Sequence, residues 1–138
     1  MTSDVRKPLA PLSPETIAHL NVTLGPPTLH FIGISGGRDI RTAGWLVGFG
    51  QVEAGGTPPR VREVQILLTE GGYLVTTSRR RGVDQVSQSG RVNETPDSAY
   101  RWLLDDGKGI LGPASKQAWV QTCRTVPGMA DFEFENVK

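Results

Sequence analysis

Apolar and polar positions change period along the chain, and each change predicts an element. Ser13-Pro14 followed by Ile17 and Leu20 has the form of a short helix. A hydroxyl stands at its N-cap, and proline takes the first helical position, where a missing N–H costs nothing. Gly25-Pro26-Pro27 ends it. From Leu29 the pattern becomes strand-like. His30 to Ser35 and Arg38 to Gly44 flank Gly36-Gly37, a dipeptide that tolerates the positive φ angles of a two-residue hairpin turn. The second arm runs on through Trp45 to Phe49, where interspersed glycines mark a bend or bulge.

Beyond the turn formers 54–59, Val61 to Leu68 and Leu74 to Arg79 make a second hairpin around Thr69-Glu70-Gly71-Gly72-Tyr73. A two-residue turn at Gly71-Gly72 would set Leu68 opposite Val75, Ile66 opposite Thr77 and Val64 opposite Arg79, all on one oily face. Residues 82–92, polar apart from Val83, Val86 and Val92, fit either a loop or a further strand. Helical spacing then returns. Thr95 caps a segment with Ala99, Trp102 and Leu103 on one side, stopped by Gly107, and Pro113 opens another with Ala114, Ala118, Trp119 and Cys123. Asp131-Phe132-Glu133-Phe134-Glu135 alternates strictly and reads as an optional edge strand. The fold expected is α+β: an antiparallel β-meander of four to five strands, with two C-terminal helices near 96–106 and 113–124 packed on one face. Residues 1–12 are expected to be a flexible tail and 13–138 a single domain.

Composition narrows the functional classes. Of 138 residues, 15 are Lys or Arg and 14 are Asp or Glu, for a formal net charge of +1, which excludes the strong field of a histone-like or acidic-tail protein. One cysteine allows no internal disulfide, and the N-terminus lacks the apolar run of a secretory signal, so a cytoplasmic location is expected. No stretch is long and apolar enough to span a bilayer, and no membrane partner is expected.

Catalytic and metal templates fail on their context. Gly33-Ile34-Ser35-Gly36-Gly37 matches the G-x-S-x-G nucleophile turn, but a strand and not a helix follows, and both histidines, His19 and His30, precede Ser35. His19, His30 and Cys123 have no metal-ligand spacing. Asp105-Asp106-Gly107-Lys108-Gly109 fits neither a calcium loop nor a P-loop, and reads as a helix stop. Gly48-Phe49-Gly50 begins a dinucleotide fingerprint that Glu53 breaks. No catalytic residue, metal or cofactor is assigned.

What remains is a contact surface. Arg79, Arg80 and Arg81, at the end of a strand, with Arg91 a little further on, are the most distinctive polar group, and adjacent guanidiniums attract phosphates and carboxylates. Trp45, between Gly44 and Gly48, is either a core residue or an interface anchor. The leading expectation is a small non-catalytic interaction or regulatory module that binds another macromolecule, a protein. The alternative is a weak nucleic-acid binder acting through Arg79 to Arg81. The third is a small enzyme whose dispersed site gathers Ser35, His30, Asp39 or Tyr73 in three dimensions.

Overall fold

The computed structural model describes residues 12–133; the expected tail therefore lies almost wholly outside the described residues. Five strands follow helix α1 (Pro14–Leu24): β1 (Thr28–Ile32), β2 (Ile40–Ala54), β3 (Arg60–Thr69), β4 (Gly72–Arg81) and β5 (Asp84–Asn93). They pair antiparallel in chain order and form a half-barrel meander. Helices α2 (Pro96–Asp106) and α3 (Pro113–Thr125) follow, so the α+β architecture holds; within 82–92, Gly82-Val83 is a turn and the strand begins at Asp84.

The helices start where the caps predict. Ser13 Oγ accepts the Thr16 N–H at 3.2 Å, and Thr95 Oγ1 accepts that of Ser98 at 3.1 Å. One face of the sheet carries Trp45, Val64, Ile66, Leu68, Tyr73 and Val75 into a core shared with Leu20, Leu103, Ala118 and Trp119 of the helices. On the reverse face Ile32, Leu67 and Leu74 form a smaller cluster under Ile34 and Ile40.

Both hairpins reverse one residue ahead of the paired glycines, with only the first glycine of each pair at the centre of the turn. The second turn is Glu70-Gly71, because Thr69 pairs with Gly72. Thr69 Oγ1 fastens that turn, accepting the Gly71 N–H at 3.2 Å and donating to the Gly72 carbonyl at 3.0 Å. Gly72 is needed for another reason: a side chain there would run into the Asn93 backbone of β5. The register therefore differs by two residues from the expected one, so each face keeps its residues but the partners change. Ile66 faces Val75, and Arg62, not Val64, faces Arg79. In the first hairpin Ile32 pairs with Ile40, leaving the loop 33–39, where the Gly37 N–H reaches the Ile34 carbonyl at 3.2 Å and Gly36 takes φ 73°.

The expected C-terminal strand is a correction. Ala130–Glu133 is a 3-10 turn, and Phe134 and Glu135 lie outside the described residues. Trp119 Nε1 donates to the Phe132 carbonyl at 2.9 Å, and Arg124 holds Glu133 at 2.6 Å, so this segment is tied to α3 rather than to the sheet.

Two buried acids of the core predict an alkaline limit. Burial pushes the Cys123 thiol up to about 12, helped by the Glu133 charge, and burial pushes the Tyr73 phenol up to about 12, helped by Cys123. The folded state thus holds both protons more tightly than the unfolded chain, whose groups ionise near 8.5 and 10. Stability is full below those values and falls as the pH rises from about 9 to 12. Urea midpoints measured across that window should decline, and Cys123→Ala should flatten the decline.

Candidate anion-binding site

At the far end of the sheet, on the helix-covered face, the register stacks two cross-strand rows. One runs Ala54, Arg60, Arg81, Asp84; the next runs Val52, Arg62, Arg79, Ser87. Four arginines from two strands thus stand in facing pairs, with Cα atoms about 5 Å apart across the strands and about 7 Å apart along them. The first turn of α3 closes over them. Together these walls border a half-open cavity of about 470 Å³, lined by five arginines, the four above and Arg80, and by apolar groups including Val52, Val86, Pro113 and Ala114.

Helix α3 can reach the sheet because β2 offers no side chain at two positions beneath it, Gly48 and Gly50. A Cβ at Gly50 would collide with the Ala114 carbonyl, and one at Gly48 with Ala118 and Thr122. Glutamines of α3 then replace the missing strand neighbour of β2: Gln121 Oε1 accepts the Phe49 N–H at 2.9 Å and Gln117 Oε1 accepts that of Gln51 at 3.2 Å. The N-terminus so positioned has Gly112 as its N-cap with no side-chain hydrogen bond, and no acid in its first turn. Its leading N–H groups keep their partial positive charge. On the outer side, the Gly82 N–H donates to the Pro59 carbonyl at 2.9 Å and ties the 55–59 loop to the β4–β5 turn.

The charges are only partly balanced. Arg62 pairs with Asp106 at the end of α2, and Arg80 pairs with Glu63, which also accepts from Gln51 at 3.3 Å. Arg60, Arg79 and Arg81 have no ion-pair partner among the described residues. Like charges directly opposed across strands cost each pair about 0.2–1 kcal/mol.

Of the residues singled out from sequence, Arg79, Arg80 and Arg81 line this cavity. Arg91 does not. It faces Val75, four residues along β5 from Ser87, or about 13 Å at a strand's rise. Trp45 is a core residue and not a surface anchor: it is 6% exposed, and its Nε1 donates to the Gly25 carbonyl at 2.8 Å, anchoring the end of α1. Arg60 and Arg62 were not legible as partners of the cluster. Their signal was the alternation Arg60-x-Arg62 facing Arg79-x-Arg81, visible only with the turn placed at Glu70-Gly71.

The dispersed group does not assemble. Tyr73 is buried in the helix-side core, whereas His30 shares the opposite face with Ile32, its Nε2 2.8 Å from Thr28 Oγ1. Asp39 Oδ1 accepts the Ile34 N–H at 3.2 Å. Ser35 is a strut. Its N–H donates to the Gln88 carbonyl and its Oγ accepts the Gln88 N–H, both at 2.8 Å, so the loop after β1 is fastened to β5 and the half-barrel is held curled. Ser35→Ala should cost about 1 kcal/mol and speed hydrogen exchange at the Gln88 amide, while Ser35→Thr, which keeps the acceptor, should cost less.

Among the described residues no group of three or more His, Cys, Asp or Glu side chains could hold a metal ion, and no helix is long and apolar enough to cross a membrane. The chain matches no protein-family model, no curated protein and no solved structure.

Proposed function

We propose that this protein is a non-catalytic, regulatory interaction module of the cytoplasm that docks an anionic group of a protein partner in the arginine-lined cavity. One observation carries the reading: Arg60 faces Arg81 and Arg62 faces Arg79 on the wall of a single concave site. Arg62 has a structural partner in Asp106, but packing gives no such reason for the Arg60–Arg81 rung, which an apolar or Thr pair would stabilise better. An incoming anion turns the mutual repulsion into shared attraction. The α3 N-terminus adds to the same field. The arginines gather around one half-open hollow, which supports a protein partner over nucleic acid, since the latter needs a basic track following a backbone and Arg91 does not extend one. The cytoplasmic assignment is supported by Cys123, buried and free.

The test is fluorescence anisotropy with a fluorescein-labelled hexaglutamate peptide at low salt. Arg79→Glu/Arg81→Glu should weaken binding at least tenfold, and Arg38→Glu, in the distant 33–39 loop, should leave it unchanged. Equal affinity in the two variants would sink the reading. Tighter binding of a labelled 20-nucleotide single strand, lost in the same double variant, would replace the protein partner with nucleic acid.

A further inference from the structure

From the geometry and the lining of the cavity we infer that its ligand is a phosphate monoester borne on an apolar ring, namely a phosphorylated tyrosine side chain of the partner. The inference rests on the anion-docking reading and specifies its ligand.

Charge comes first. Arg60, Arg79 and Arg81 carry three positive charges that no described carboxylate pairs, and they project from neighbouring strands around one space. A carboxylate offers one charge and two oxygens in a plane, which a single guanidinium fork satisfies. A phosphate monoester carries up to two charges and three acceptor oxygens set tetrahedrally, so it can take forks from β3 and β4 together. The uncapped N–H groups of α3 lie over the same space and favour an anion without donating a second charge.

Volume and lining then define what carries the phosphate. A cavity of about 470 Å³ is several times larger than a phosphate group, and the remainder is walled by Val52, Ala54, Val86, Pro113 and Ala114. Such walls suit an apolar body. Among the described lining residues, Ser115 alone adds a polar side chain to the arginines, and none is aromatic. A nucleobase placed there would lose the water on its polar edge without gaining partners, and would have no ring to stack on. A phenyl ring has no such edge. Phosphoserine or free phosphate would leave the apolar walls uncovered.

Isothermal titration of the full chain tests this with four probes at one pH and salt: phenyl phosphate, inorganic phosphate, phenylacetate and adenosine monophosphate. Phenyl phosphate should bind at least tenfold tighter than each of the others, and a capped Ala-phosphotyrosine-Ala tripeptide should bind where the unphosphorylated tripeptide does not. Arg79→Lys keeps the charge but removes the fork, and should weaken phenyl phosphate about tenfold with an unchanged urea midpoint. Inorganic phosphate equal to phenyl phosphate removes the ring; phenylacetate equal to it removes the phosphate; a tighter nucleotide removes tyrosine. Each of those results overturns the inference and leaves anion docking in place. If no probe binds and the hexaglutamate peptide also fails, both fall together.

Discussion

Gly50→Ala should destabilise the protein by about 1–3 kcal/mol and, at the same time, spoil the cavity. The added methyl meets the carbonyl of Ala114, a backbone atom that cannot rotate away, so α3 must lift at its first turn. That lift separates Pro113 and Ala114 from the arginine rows they roof. Gly48→Ala meets Ala118 and Thr122 further along the helix, and should cost similar stability with less effect on the ligand end. Gly55→Ala, with nothing within 4 Å, should stay within about 0.5 kcal/mol of the parent. Urea denaturation gives the three stabilities, and hexaglutamate anisotropy separates the two core glycines. Equal binding losses in Gly48→Ala and Gly50→Ala would mean that α3 does not form the roof.

Arg60→Thr/Arg81→Thr should move stability and binding in opposite directions. Both side chains are exposed and unpaired, and they face each other across β3 and β4. Removing their repulsion and substituting a favourable Thr–Thr pair should raise stability by about 0.5–1 kcal/mol. Each lost charged hydrogen bond to an anion is worth about 1.5–3 kcal/mol, so hexaglutamate or phenyl phosphate binding should fall by about a hundredfold or more. This is the pattern of residues retained for a function at some expense in stability. A variant that unfolds more easily than the parent would instead make the arginines structural.

How much of this could be read from sequence is clearest in the β3–β4 hairpin. The two-residue spacing of Val64, Ile66 and Leu68 fixes which side chains share the helix-side face, because the period of two survives a register shift of two residues. Partners do not survive it. A turn at Gly71-Gly72 puts Arg79 against Val64 and leaves the arginines as an isolated run at a strand end. Thr69 and the close approach of Gly72 to Asn93 decide the true turn, and the latter is a contact with a third strand. Likewise the G-x-S-x-G segment is legible as a turn, whereas the bond from Ser35 to Gln88, 53 positions away, exists only in the curled sheet.

Caps, prolines and hydrophobic spacing determined on their own where α1, α2 and α3 begin, that the strands alternate, and that an α+β meander results, since these signals act within a few residues of chain. Tertiary structure alone decided that Trp45 is buried, that Gly48 and Gly50 admit a helix, and that Arg60 and Arg62 join Arg79 to Arg81 around one cavity. The reason is physical: each of those outcomes depends on which distant backbone lies within a few ångströms, and composition and periodicity carry no record of that distance.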